Sequence, residues 1–146
     1  MKMHPELIGQ IGAGYLPLKA EIAPVYQVLL HSVPLTIAYP ISKDGAMAFA
    51  IPDGMPRGGI WLQPPFIEVT PDWLFIPGVG FGLDGRRLGR GKGFYDRYLA
   101  NSEMIKIGIA WSGQLNEELP VESHDCHMDF IITENFCWDV KQQVKF

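Results

Sequence analysis

Between Arg86 and Tyr98 the chain reads RRLGRGKGFYDRY, with Gly89, Gly91 and Gly93 alternating with Arg90 and Lys92 ahead of Phe94, Tyr95 and Asp96. Glycines at every second position let backbone N–H groups converge into a concavity for an anion, and the start of a following helix adds further unpaired donors. Arg90 can fork onto two phosphate oxygens, and Lys92 can place a point charge beside them. Asp96 falls in the first turn of that helix. It can hold the Mg²⁺ that a triphosphate carries, or it can complement the helix dipole, and residue types leave the two roles level. A nucleoside triphosphate with its metal is the ligand these residues suit.

The charge distribution points the same way. The 146-residue chain has a net charge of −4, the wrong sign for a surface that embraces nucleic acid, yet Arg86–Tyr98 carries +4 and the remainder −8. A focus of that kind attracts a small polyanion. A solvated basic loop would also be cationic, but it has no need of three alternating glycines.

Two familiar phosphate-binding templates do not fit. Gly80–Gly85, GFGLDG, matches the dinucleotide pattern GxGxxG after an apolar run, but its third glycine leads into RRLGRGKG, which cannot open a helix. Asp84-Gly85 reads better as a hairpin turn between VGF and RRL. A Walker A loop ending at Lys92 would need glycine at Arg86 and Ser or Thr at Gly93.

The elements that must position this segment read as an α/β layer fold. Leu35–Pro40, Met47–Ile51, Trp73–Gly78, Ile105–Trp111 and Met128–Thr133 are short apolar runs expected to be strands, several of them buried on both faces. Ile22, Val25, Tyr26, Leu29 and Leu30 recur at helical spacing, as do Tyr95, Tyr98 and Leu99. Phe94 and Tyr95 are adjacent, so one can pack inward while the other faces a ligand; which does which stays open. The five prolines between Pro52 and Pro71 predict a loop with room for one edge strand. Helices are few for so many strands, so either the sheet is mixed or a covering helix is missing.

The length suits one domain over residues 1–146, burying roughly two thirds of its unfolded surface. No apolar run approaches the roughly 20 residues that span a bilayer, and MKMHPELIGQ has no export signal. Cys126 and Cys137 are too few for a disulfide framework, so a soluble cytoplasmic protein without membrane or nucleic-acid partners is expected. HDCH at His124–His127 fits a closed zinc site poorly. Trp61, Phe66, Trp73 and Trp111 read as core or rim residues.

The segments GYLPLKAEI, FIPGVGF, RLGRGKGFYDRYL and IGIAW…Q…LPVESHD…DFIITE occur in the order that marks the 5-formyltetrahydrofolate cyclo-ligase (methenyltetrahydrofolate synthetase) family, which the chain resembles from roughly Ile8 to Glu134. The resemblance implies a three-layer α/β sandwich with a mixed, mostly parallel central sheet of the cyclo-ligase and NagB-like kind. It also implies an ATP- and Mg²⁺-dependent enzyme that closes 5-formyltetrahydrofolate to 5,10-methenyltetrahydrofolate and releases ADP and phosphate. In that reaction the formyl oxygen is phosphorylated and N10 then attacks the activated carbon.

Carried over by position, the resemblance puts Arg87, Leu88, Gly89, Arg90, Gly91, Lys92, Gly93, Phe94 and Tyr95 around the ATP phosphates, with Arg90 and Lys92 acting on the transferred group. Arg90, Gly91, Lys92, Gly93 and Phe94 also border the folate, together with Leu16 and Glu21, whose carboxylate can accept from the N–H row of a pterin edge. Asp96 and Asp125 fall at the magnesium positions. Family members begin with a further helix whose lysine and arginine reach the phosphates; this sequence starts near the first strand without them. Phe94 stands where many relatives have tyrosine. The expected form is a monomer acting on ATP and a reduced folate. A relative that binds folate or nucleotide without turnover is the alternative, and an RNA-binding module built on GRGKG a more distant one.

Overall fold

The computed structural model of the chain describes residues 11–15, 36–54, 56, 61–89, 91, 93–100, 102–117, 119 and 126–146. The helix expected over Ile22–Leu30 lies outside them. Contacts divide the chain into two compact units, Met1–Leu74 and Phe75–Phe146.

In the first unit, β1 (Ile11–Ala13) runs parallel to β2 (Thr36–Lys43), with Ile11 opposite Thr36, and parallel to the first residues of β5 (Trp73–Ile76), with Gly12 opposite Trp73. On its other edge β2 pairs antiparallel with β3 (Ala46–Pro52), and β3 with β4 (Phe66–Val69). Asp44 and Gly45, at φ 52° and 80°, make the two-residue turn between β2 and β3. That hairpin removes the need for a crossover helix between them. β4 is the edge strand for which the proline-rich segment had room.

Sequence reading ends β2 at Pro40, but the strand continues to Lys43. Pairing with β1 stops at Ala13–Ala38, and the Pro40 carbonyl accepts from the Leu62 N–H at 2.7 Å. Pro40 therefore sits where its missing N–H costs little. The buried side chains of this unit include Ile37, Tyr39, Ile41, Phe49, Trp73 and Leu74.

The second unit begins with the end of β5 and continues into a hairpin of β6 (Gly80–Phe81) and β7 (Arg87–Leu88). The expected Asp84-Gly85 turn closes it: Gly85, at φ 93°, donates to the Gly82 carbonyl at 2.9 Å, and the Gly82 N–H donates to Arg86 at 2.9 Å. Helix α1 (Phe94–Leu99) follows, then β8 (Ile105–Ile109), a 3₁₀ turn at Ser112–Gln114, β9 (Phe130–Ile132), β10 (Cys137–Asp139) and β11 (Val144–Lys145). β8 and β9 are parallel, whereas β9, β10 and β11 are antiparallel. Pairing is thus mixed within each unit: β1 is parallel to β2 and β5 in the first and β8 to β9 in the second, while the other named pairs are antiparallel. Among the described residues no helix is long and apolar enough to cross a membrane.

Candidate functional site

The glycine-rich segment hangs between the β6–β7 hairpin and α1, so its placement depends on how those two are held. The hairpin is fixed first by Phe81, which is fully buried and packs against Gly78 and Gly108. Its carbonyl accepts from the Asn116 N–H at 2.8 Å. The loop before β6 is held by the amide of Gln114, which donates to the carbonyls of Gly78 at 3.0 Å and Val79 at 3.2 Å while its Oε1 accepts from the Trp111 N–H at 2.8 Å. At the far end, the Leu83 carbonyl accepts from Trp138 Nε1 and Gln143 Nε2, both at 2.9 Å. Base and tip of the hairpin are therefore both tied into the unit.

At the exit from β7 the backbone takes the left-handed conformation twice, at Gly91 (φ 91°) and Gly93 (φ 69°), which glycine adopts without a Cβ penalty. Gly93 is the N-cap of α1, and its carbonyl accepts the first helical bond from the Arg97 N–H at 3.0 Å. A glycine cap brings no side-chain oxygen to the helix start. Gly91 is exposed, and a Cβ there would meet no atom within 4 Å, so its φ rather than crowding accounts for the glycine.

The cations of this segment differ in what they do. Exposed Arg86 pairs with Asp84 at 2.6 Å across the hairpin turn. Arg97 lies over the Phe94 ring, 5.3 Å from its centroid. Arg87 is buried, 8% exposed. Its Nε donates to the Pro77 carbonyl at 2.7 Å, its guanidinium carbon lies 5.0 Å from the Tyr95 centroid, and its Nη1 stands 3.9 Å from Asp96 Oδ1. Tyr95 thus meets the buried arginine and Phe94 the exposed one. Leu99 is the buried anchor of α1, while Tyr95 and Tyr98 are half-buried.

Asp96 is partly exposed, in the first turn of α1. The thiol of Cys126 donates to its carbonyl over 3.8 Å. Cys126 therefore lies against the turn that carries Asp96. Among the described residues no three His, Cys, Asp or Glu side chains form a metal set. Asp125 itself lies outside the described residues, as do Leu16, Glu21, Arg90 and Lys92; Arg87, Leu88, Gly89, Gly91, Gly93, Phe94, Tyr95 and Asp96 are within them. Of the tryptophans, Trp73 is wholly buried and Trp111 lies at the rim, 49% exposed.

Sequence reasoning missed the clamp made by Gln114, and it named Arg87 among the phosphate residues without its inward contacts. Gln114 carried no chemical signal beyond its place in IGIAW…Q. The close fit of Arg87 leaves one local trace: a Cβ on Gly89 would come within 2.9 Å of Arg87 Nη1, so glycine at position 89 makes room for the guanidinium.

Comparison with known proteins accords with this geometry. The sequence model of the 5-formyltetrahydrofolate cyclo-ligase family matches residues 55–134, which include the hairpin, the glycine-rich segment and α1. The mouse 5-formyltetrahydrofolate cyclo-ligase is 40% identical over 70 residues, 44% of this chain and 34% of the mouse protein. The aligned stretch is thus about a third of that relative's length. The Mycolicibacterium smegmatis 5-formyltetrahydrofolate cyclo-ligase is 26% identical over 146 residues, covering 88% of this chain and 75% of its own. The NMR structure of Aquifex aeolicus 5,10-methenyltetrahydrofolate synthetase superposes with a TM-score of 0.77 at 28% identity, covering 94% of this chain and 75% of that one.

Proposed function

The chain belongs to the 5-formyltetrahydrofolate cyclo-ligase family, and on that premise we propose that it uses ATP to close 5-formyltetrahydrofolate into 5,10-methenyltetrahydrofolate, with release of ADP and phosphate. The observation that carries the reading is the anchored hairpin opening into a segment with Gly91 and Gly93 at positive φ and ending on α1. That backbone can offer N–H donors to phosphate oxygens, and its side chains put positive charge beside them.

In this reading the formyl oxygen attacks the γ-phosphorus and ADP leaves. N10 then adds to the formyl carbon and gives up its proton to solvent, and the C–O bond to phosphate breaks to leave the methenyl bridge. Arg90 and Lys92 neutralise charge on the moving phosphoryl group, a role that needs no enzyme nucleophile. Arg86, Arg87 and Arg97 each have a partner within the fold; the direct part of Arg90 and Lys92 is what the family resemblance implies. Leu88 and Gly89 carry the chain toward the phosphates, Phe94 borders both substrates, and Leu16 and Glu21 receive the folate.

Asp96 and Asp125 suit magnesium, a hard cation that takes carboxylate oxygens, and the Cys126 contact with the Asp96 turn supports their acting together. When bound, the metal would supply further neutralisation of the triphosphate. The proposed working form is a cytoplasmic monomer whose partners are ATP and the reduced folate.

The test is the rise of methenyltetrahydrofolate absorbance from 5-formyltetrahydrofolate with purified protein. It should need ATP and magnesium, and it should vanish in Lys92→Ala. Stabilisation by nucleotide without product would make the chain a binder instead of an enzyme.

A further inference from the structure

Arg87 is the buried charged side chain among the described residues of the core. A cation so placed needs a reason, because removing it from water is costly unless it is paired and hydrogen-bonded. Its surroundings supply one. The Nε–H is committed to the Pro77 carbonyl at 2.7 Å, one face of the guanidinium lies toward the Tyr95 ring, and Nη1 reaches toward Asp96 at 3.9 Å. Gly89 closes over the same nitrogens, where a Cβ would come within 2.9 Å of Nη1 and 3.2 Å of Nη2. One rigid fork therefore meets the loop between β5 and the hairpin, the start of the glycine-rich segment and the first turn of α1.

The resemblance sets Arg87 beside the ATP phosphates; from its inward contacts we propose instead that it is a positioning residue for the Asp96 carboxylate and the Tyr95 ring, and that it acts on nucleotide through the divalent cation rather than by touching phosphate. This rests on the nucleotide reading above. Lysine cannot take the place of arginine here, since its single ammonium cannot reach Pro77 and Asp96 in the planar arrangement of the fork. The consequence is specific: loss of the fork should weaken the part of nucleotide affinity that depends on magnesium and leave the metal-free part in place.

The experiment is calorimetric titration of the whole chain with ADP, once in excess EDTA and once in excess magnesium, for wild type, Arg87→Lys and Asp96→Asn. In EDTA the Arg87→Lys affinity should stay within about twofold of wild type. The tightening produced by magnesium should fall by about tenfold or more in Arg87→Lys, as in Asp96→Asn, in line with the loss of groups that orient metal ligands. The double variant should lose no more than the single ones, as residues acting as a unit do. If Arg87→Lys loses about tenfold already in EDTA, the side chain contacts phosphate and the proposal is wrong. It is equally wrong if both affinities drop together with their ratio unchanged, the signature of a purely structural role, or if magnesium has no effect on wild type. A wild type that binds no nucleotide under either condition removes the nucleotide reading itself, a distinct result.

Should Arg87→Lys not fold, the wild-type chain decides the matter by NMR. The Arg87 Nε–Hε signal should keep its shift and slow solvent exchange when ADP is added without metal. A changed shift or faster exchange overturns the positioning role.

Discussion

Phe81 lies against Gly108 so closely that a methyl group on residue 108 would sit 2.6 Å from the Phe81 Cε1 atom, while one on Gly78 would sit 2.8 Å from its Cζ. The ring is fully buried and rigid, so it cannot swing away. Gly108→Ala should therefore destabilise the protein by about 1–3 kcal/mol through overpacking, and Phe81→Ala by about 3–5 kcal/mol through the cavity it leaves. Urea unfolding midpoints measure both. An unchanged midpoint in Gly108→Ala would mean that the ring does not rest on that glycine.

Gln114 holds the loop before β6 with three hydrogen bonds, to Gly78, Val79 and Trp111. Gln114→Leu keeps the bulk and removes the bonds. The expected loss is about 1–2 kcal/mol, because each bond nets only about 0.5–1.5 kcal/mol against water and the group is half-exposed. Hydrogen exchange at the Trp111 amide should quicken more than at amides of β2, in the other unit. Uniform exchange across the chain would contradict a local clamp.

Ser112 donates to Glu134 twice, from Oγ at 2.6 Å and from its backbone N–H at 2.8 Å. These bonds, the hydroxyl's foremost, favour the carboxylate and hold the Glu134 pKa below its ordinary value, against a smaller opposing effect of desolvation. A folded-state pKa below the unfolded one stabilises the protein fully above the unfolded value, about 4.3 for glutamate, and that contribution fades as pH falls through the lower folded value. Wild type and Glu134→Gln should thus differ most in Tm near neutral pH and converge as pH falls through the lowered folded value. The gap should be small, since the group is exposed. A gap that widens on acidification would reverse the sign of the argument.

The strands β2, β3, β5, β8 and β9 were legible as apolar runs, and the β6–β7 turn as Asp84-Gly85. β1, β10 and β11 were not, because strands this short leave no periodicity, and β11 is an exposed Val-Lys pair. Pro40 was read as a stop because proline usually is one; the early end of β1 that makes it harmless is a long-range fact. In the site, the glycine spacing announced the loop, and the positive φ at Gly91 and Gly93 accords with it. The inward course of Arg87 was not legible: five cations in a row of thirteen residues look alike until the Pro77 carbonyl and the Tyr95 ring select one. Nor did Gln114 show its task, since its three partners lie as much as 36 residues away in the chain.

The most direct measurement is the heat of binding of magnesium nucleotide to the intact chain, compared with Arg90→Ala and Lys92→Ala. A saturable exothermic or endothermic isotherm is expected for wild type, weakened by about tenfold or more in either variant, the loss typical of a charge-assisted phosphate contact. Wild-type protein that takes up no nucleotide, or variants that bind it as tightly as wild type, would contradict the assignment of the glycine-rich segment to the triphosphate.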